Sequence, residues 1–369
     1  MADRRPTLVK PPPVDESKAP IENALELTDL SIIGPDIFTN TRELWHPPGA
    51  RGIYGGAVIA QTLAAAQRTV PSNFVVHSYH CFFVLAGDSR VPVLYHVERV
   101  REGRSFCTRT VQARQRGSCI FTVTCSFVRE GSGGAQTVAH AAPLPAGVEV
   151  PLPPSPPPGG AAAAAAAPPA EYEEESEILG GDGGAGGGKS PFESFRCRPG
   201  DADQPPEHRK VWQWVRARGR ISAGGGHQAH LSALAYISDS YFIGTISRIH
   251  HLWRFPFRPD QLADLDPAAR GRLDRINERE GYGSFEELRD RPAVGMMVSL
   301  DHSIYFHNPK KVRADEWMFT EMVSPWAGDG RGVVMQKIYS KDGTLLATAF
   351  QEGVVRLKNQ PGVEEKAKL

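Results

Sequence analysis

Leu231-Ser-Ala-Leu-Ala-Tyr-Ile-Ser-Asp239-Ser-Tyr-Phe-Ile243 decides the reading of this chain. Leu231, Ala235, Phe242 and Ile243 recur at helical offsets of about three, four and seven or eight residues, which predicts a helix near Ala229 to Ile243. An aspartate inside such a stretch is out of place. Asp is a poor mid-helix residue and is costly to bury without a partner. Either a partner satisfies Asp239 or the protein uses it.

The surroundings of that helix occur twice. A strand is predicted near Lys210 to Arg218, and further strands near Met296 to Phe306, Glu316 to Ser324, Gly332 to Ser340 and Leu345 to Leu357. Earlier in the chain, Gly55 to Thr69 carries Val58, Ile59, Leu63 and Ala66 at helical spacing. Strand-like runs follow at Phe74 to Leu85, Val91 to Arg101, Ser105 to Arg116 and Ser118 to Arg129. Turns at Ala86-Gly-Asp88, Glu102-Gly-Arg104 and Arg116-Gly-Ser118 separate them. Local text repeats as well. His77-Ser-Tyr-His-Cys-Phe-Phe83 matches His302-Ser-Ile-Tyr-Phe306 at an offset of 225, and Gly117 to Thr122 matches Gly343 to Thr348 at 226. One long helix followed by four antiparallel strands, duplicated, predicts an α+β double hotdog: two units, each a helix wrapped by a curved antiparallel sheet.

Residues 1–20 are expected to be a disordered leader, 21–130 the first unit and 191–357 the second. Residues 131–190 hold proline runs, seven alanines, an acidic patch and a glycine-rich end. Such composition cannot offset its ordering entropy, so a disordered linker is expected. A charged, partly helical stretch at about 254–292 reads as a surface insertion. Residues 358–369 form a polar tail ending Ala367-Lys368-Leu369, a close variant of the Ser-Lys-Leu peroxisomal address. An import receptor and the peroxisomal matrix are therefore expected, with the cytoplasm as the alternative. The first residues lack the apolar core of a secretory signal, and Ala161 to Ala167 is too short an apolar run for a bilayer span. With 42 basic and 42 acidic residues the net charge is zero, which gives no footprint for nucleic acid. The five cysteines, Cys81, Cys107, Cys119, Cys125 and Cys197, are odd in number and read as small buried hydrophobes of a reducing compartment.

Several blocks resemble the type II acyl-coenzyme A thioesterases, including the peroxisomal members. They are Gly55-Gly56, Val76-His-Ser-Tyr-His-Cys-Phe-Phe83, Ala86-Gly-Asp88, Tyr95-His-Val-Glu98 and Ser105-Phe106 in the first half. In the second they are Ala235-Tyr-Ile-Ser-Asp239, Met297 to His307, Glu321 to Gly328 and Gln351-Glu-Gly-Val-Val-Arg356. The linker and the insertion fall outside the resemblance. It implies hydrolysis of acyl-CoA to fatty acid and CoA without a cofactor, a homo-oligomer, and a catalytic set of Asp239, Ser299 and Gln351.

Those residue types suit the chemistry. A desolvated Asp becomes a stronger base, and a hydroxyl and an amide can aim a water. Carboxylate attack through an anhydride is the alternative. Strand alternation predicts that Ser299 shares a face with Asp301 and Ser303, and Gln351 with Ala347 and Ala349. Glycines opening the helices, Gly55-Gly56 and Gly224-Gly-Gly226, are candidate substrate-binding or oxyanion donors, or simple turns. At the repeat offsets Ser299 falls on Phe74 and Gln351 on Cys125, so the second half is expected to carry the chemistry.

Other signals are set aside. Gly183 to Ser190 satisfies the P-loop pattern, but a low-complexity run precedes it and Pro191 follows. Ser299, Asp301 and His302 are too close along one strand to form a nucleophile triad. His77, His80, His250 and His251 lack a metal-ligand pattern and read as structural. Arg104, Arg109, Lys310 and Lys311 could meet CoA phosphates, although an ordinary solvated surface explains them better. The competing functions are a hotdog enoyl-CoA hydratase, which needs an Asp/His pair, a non-catalytic acyl-CoA-binding protein, and a scaffold acting through the linker.

Overall fold

The computed structural model describes residues 10–47, 50, 52–149, 190–197, 199–255, 257–281 and 284–358. The strands are Leu27–Asp29 (β1), Ile37–Asn40 (β2), Phe74–Phe83 (β3), Leu94–Glu102 (β4), Phe106–Gln115 (β5), Ser118–Arg129 (β6), Phe192–Cys197 (β7), Lys210–Ala217 (β8), Val294–Ser299 (β9), Asp301–Phe306 (β10), Met318–Gly328 (β11), Arg331–Ser340 (β12) and Leu345–Leu357 (β13). The helices are Pro20–Ala24 (α1), Gly55–Gln67 (α2), Gly226–Ser238 (α3), Gly244–Ile249 (α4), Pro267–Glu280 (α5) and Phe285–Leu288 (α6).

The strands form one antiparallel sheet in the order β1-β2-β4-β5-β6-β3-β10-β13-β12-β11-β8-β7, with β9 also on β13. The order reads the same from either end. Each half runs outward from β3 or β10 through three long strands to a short pair. The halves join where β3 and β10 pair, Asp301 against Phe82 and Ile304 against Tyr79. The sequence misses β1, β2 and β7, which are short and lie at or next to the edges. The long hairpins close on the turns their residues require. Arg116-Gly117 between β5 and β6, and Asp329-Gly330 between β11 and β12, hold both central residues at positive φ, the type I′ geometry that matches strand twist.

Helices α2 and α3 pack together inside the curved sheet. Ile59, Leu63, Ala65, Ala66, Leu231, Ala233, Leu234 and Ala235 are almost wholly buried there. Because the sheet wraps the pair, both helices are apolar on more than one stripe.

Three boundaries differ from expectation. First, α3 ends at Ser238, so Asp239 is the residue that caps it and not a mid-helix residue. The chain then turns through Tyr241, held at φ 56, and resumes as α4. Phe242 and Ile243 mimic helical periodicity because the turn returns them to the same core. Second, residues 131–149 belong to the expected linker, but Leu144 and Val148 cover the cluster of Trp212, Trp214, Trp317, Phe319 and Tyr339. The Trp214 indole donates to the Glu149 carbonyl at 2.7 Å. Third, the end of the expected leader is anchored: Arg42 donates to the carbonyls of Pro12 and Pro13. Most of the linker, 150–189, including the P-loop-like run up to Lys189, lies outside the described residues, as does the tail beyond 358.

The insertion carries a small core of its own, built on Trp253, Phe255, Leu273, Ile276 and Phe285. Its helix α5 ends at Glu280, which pairs with Arg196, with Arg248 at 3.2 Å and with Arg254 at 3.8 Å, all buried. The Arg196 and Arg248 guanidiniums lie 3.9 and 4.7 Å from the centre of the Tyr241 ring. The insertion thus braces the turn that follows Asp239.

Candidate active site

Asp239 is held between a helix end and a strand. The Gln351 amide in β13 donates to Asp239 Oδ1 at 2.8 Å and makes a second contact to His302 Nδ1 in β10 at 3.1 Å. The geometry assigns every proton. Ser238 Oγ donates to the Ala235 carbonyl at 2.9 Å, so it accepts from His302 Nε2 at 3.0 Å. His302 is therefore neutral with its proton on Nε2, and Nδ1 accepts from Gln351. Both amide hydrogens of Gln351 are then in use. The reverse amide orientation would set its oxygen against the carboxylate. What remains is Gln351 Oε1, buried and without a partner.

Burial sets the charges. Desolvation lifts the Asp239 carboxyl from 3.8 to about 6, and the hydrogen bonds from Gln351 and the Gly56 amide pull it back only part of the way. Burial drives His302 down to about 3, so it stays neutral across the working range. Phe242 packs edge-on against the His302 ring.

Ser299 reaches this face by a route that alternation does not predict. From Ser299 to Ser303 the β9–β10 strand advances four residues while its partner moves three, from Gly353 to Phe350. That extra residue is a β-bulge. It turns His302 inward with Ser299 and sends Ser303 to the outer face, where it bonds His80 at 3.0 Å. The expected grouping of Ser299 with Asp301 and Ser303 is therefore wrong, whereas Gln351, Ala349 and Ala347 do share the buried face. Ser299 stands opposite Gly353, whose absent Cβ would meet Ile243 at 2.5 Å, so this pair faces the turn after Asp239. The Ser299 side chain is half-buried and its hydroxyl has no hydrogen-bond partner among the described residues.

The first half also takes part. Gly55 and Gly56 open α2 directly at Asp239. A Cβ on Gly55 would lie 2.7 Å from Asp239 Oδ2 and 2.9 Å from the Phe83 ring. The Gly56 amide also faces the carboxylate and favours its charged form. The site thus lies between the halves.

Two family models match this chain: the acyl-CoA thioesterase N-terminal domain over residues 42–128 and the acyl-CoA thioesterase C-terminal domain over residues 162–355. The chain belongs to the type II acyl-CoA thioesterase family. It is 33% identical to acyl-coenzyme A thioesterase 8 of Homo sapiens, across 95% of this chain and 92% of that one. It is 24% identical to peroxisomal acyl-coenzyme A thioester hydrolase 1 of Saccharomyces cerevisiae, across 95% and 99%. Among solved structures, an acyl-CoA thioesterase II from Mycobacterium marinum superposes with a TM-score of 0.58 at 26% identity, covering 94% of this chain and 99% of that one. As a type II thioesterase the protein is an acyl-CoA hydrolase with the double hotdog fold.

The register within this thioesterase also places the first-half counterparts. In β3 the pairing with β6 shifts between Val76 and Ser78, as it does between Ser299 and His302. Tyr79 opposes Cys125 where His302 faces Gln351. The counterpart of Ser299 is therefore Val76 and not Phe74, while Cys125 stands where Gln351 does. Helices α2 and α3 each span 13 residues, which sets Arg68 where Asp239 stands. The first half lacks the polar set.

Of the candidate phosphate contacts, Arg109 is fully buried, bonded to Thr69 and Glu102, and Lys310 pairs with Glu130. Among the described residues no group of His, Cys, Asp or Glu could hold a metal ion, and no helix is long and apolar enough to cross a membrane. His302 is the site residue that sequence reasoning passed over. Weighed in the sequence only as a triad member beside Ser299 and Asp301, it gives no sign of an inward role until the bulge and Gln351 are located.

Proposed function

We propose that this thioesterase hydrolyses fatty acyl-CoA by water attack, with Asp239 as general base. The carrying observation is the Gln351 side chain. Its two N–H groups are committed to Asp239 and His302, and its oxygen is left unpartnered beside a carboxyl lifted to about 6. A water there can donate one hydrogen to Asp239 and the other to Gln351 Oε1, with the Ser299 hydroxyl as a third contact. As the water oxygen attacks the thioester carbon, its proton passes to Asp239. The C–S bond then breaks, and the proton leaves with the sulfur as free CoA thiol. The test is thiol release from acyl-CoA by Asp239→Asn, which should lose at least about 100-fold, the usual range of acid–base catalysis. A wild-type rate in that variant would end the assignment. Label found in Asp239 after a single turnover in ¹⁸O-water would show carboxylate attack through an anhydride resolved at the Asp239 carbonyl, which general-base catalysis cannot produce.

One observation favours the hydratase reading: His302 Nδ1 lies 4.0 Å from Asp239 Oδ1. That histidine is fully buried, however, and both its nitrogens are in hydrogen bonds. It can set the Gln351 amide but cannot reach a substrate. Hydration of an enoyl-CoA is expected to be undetectable, and a measurable rate would reopen that reading.

Phe82, Tyr305 and Phe350 are 61, 42 and 39% exposed on the outer face of the central strands. Such a patch supports a homo-oligomer. Phe82→Lys with Phe350→Lys should reduce the mass measured by light scattering, and an unchanged mass would refute it. The peroxisomal matrix is supported by Ala367-Lys368-Leu369, which lies outside the described residues, together with the relative named peroxisomal. Deleting those three residues should move a fluorescent fusion from puncta to the cytoplasm. A retained punctate pattern would argue against the import receptor.

A further inference from the structure

A cavity of about 330 Å³ lies at the far end of the helix pair from Asp239. Gln67 at the end of α2, His227 and Leu231 at the start of α3, Phe74 and Val76 in β3, and Lys310 line it. Phe83 touches the Asp239 site and Phe74 lines the cavity, so nine strand steps separate them, about 30 Å.

The position is not arbitrary. The duplication that sets α2's first turn against Asp239 sets α3's first turn against the end of α2. The cavity is the counterpart of the active site, with Arg68, Val76, Tyr79 and Cys125 in place of Asp239, Ser299, His302 and Gln351. The water-activating groups are absent and three of the four replacements are larger, yet an open space remains beside Val76. Its polar atoms are unusual. Gln67 is 4% exposed, and its oxygen accepts from Ser232 Oγ at 3.1 Å. Its Nε2 is buried with no partner, and so is His227 Nε2. Lys310 at the rim holds Glu130 at 2.5 Å and keeps further N–H groups. Glu130 also lines the cavity with its charge offset by Lys310, so the groups open to a ligand are Gln67 Nε2, the remaining Lys310 N–H groups and, with its proton on Nε2, His227, above an apolar floor.

We propose that this cavity is a second ligand site that binds a free alkanoate, with its carboxylate on Gln67 Nε2, His227 Nε2 and Lys310 Nζ and its tail on Phe74, Val76 and Leu231. A volume at the lower end of small-molecule sites fits a short or medium alkyl chain. The ligand is thus of the product class, held where no hydrolysis can occur.

The test is calorimetric titration of decanoate into the full chain, with the active site saturated by a non-hydrolysable thioether analogue of acyl-CoA. One decanoate per chain is expected. Gln67→Glu, which sets a carboxylate against the ligand, should abolish binding. Lys310→Ala, a surface change that leaves folding and thiol release intact, should weaken it about tenfold, the loss of one charge-assisted hydrogen bond. Asp239→Asn should leave it unchanged. No heat in the presence of the analogue, or equal affinity in wild type and Lys310→Ala, would overturn the proposal, even if Gln67→Glu fails to fold.

Discussion

Replacing Gln351 by Met keeps an unbranched side chain of similar length but removes both N–H donors and the spare acceptor. Two losses follow, and pH separates them. The first is electrostatic. Asp239 sits at about 6 with the Gln351 hydrogen bond in place. A hydrogen bond to a charged group contributes roughly 1.5–3 kcal/mol, and 1.4 kcal/mol is about one pKa unit. Without it the carboxyl should rise by roughly one to two units. The ascending limb of kcat/KM for thiol release should therefore move from near pH 6 to about pH 7–8. At pH 7 the ionised fraction would fall from about nine-tenths to between a half and a tenth. The second loss is positional: the water loses its acceptor, which lowers the high-pH plateau at every pH. The assay is thiol release between pH 5 and 9.5. A Gln351→Met profile with a lower plateau but an unmoved limb would refute the electrostatic argument. An unchanged plateau would refute the water-holding role.

Three other outcomes are expected. Asp239 has a folded pKa above its unfolded value, so the native state holds that proton more tightly; the stabilisation is complete below pH 4 and lost as pH rises through about 6. Asp239→Asn should therefore gain up to about 3 kcal/mol in urea unfolding at pH 8 and almost nothing at pH 4, and an equal gain at both would contradict the burial argument. Gly55→Ala places a methyl 2.7 Å from Asp239 Oδ2 and 2.9 Å from Phe83; thiol release should drop about tenfold or more, since about 1 Å of misplacement at such a site costs more than that, and a normal rate would show that the helix start can retreat. Glu280→Ala removes the carboxylate that Arg196, Arg248 and Arg254 share in the interior, so it should cost about 3–5 kcal/mol on thermal unfolding and slow thiol release by loosening the Tyr241 turn, whereas an unchanged melting temperature would remove the insertion from the scaffold.

The fold was legible because its signals are local. Apolar residues at helical spacing and the β-rich runs located α2, α3 and the eight longer strands to within a few residues. Glycines at Arg116-Gly117 and Asp329-Gly330 are demanded by the turns themselves. Repeat offsets exposed the duplication. Short edge strands such as β1 and β7 were not legible, because three to six residues carry too little periodicity.

Asp239, Ser299 and Gln351 were also legible, as residue types in motif blocks. Their relation was not. The sequence by itself determined two helix-and-sheet units, an acid within the second helical stretch and an amide in the last strand. Only the tertiary structure decided that Asp239 caps that helix, that a bulge after Ser299 turns His302 inward to fix the Gln351 amide, and that Gly55 of the other half closes on the carboxylate. A bulge changes which face every later side chain takes, and no local pattern records it. Burial likewise is a property of the assembled halves, and burial lifts the Asp239 carboxyl toward neutrality.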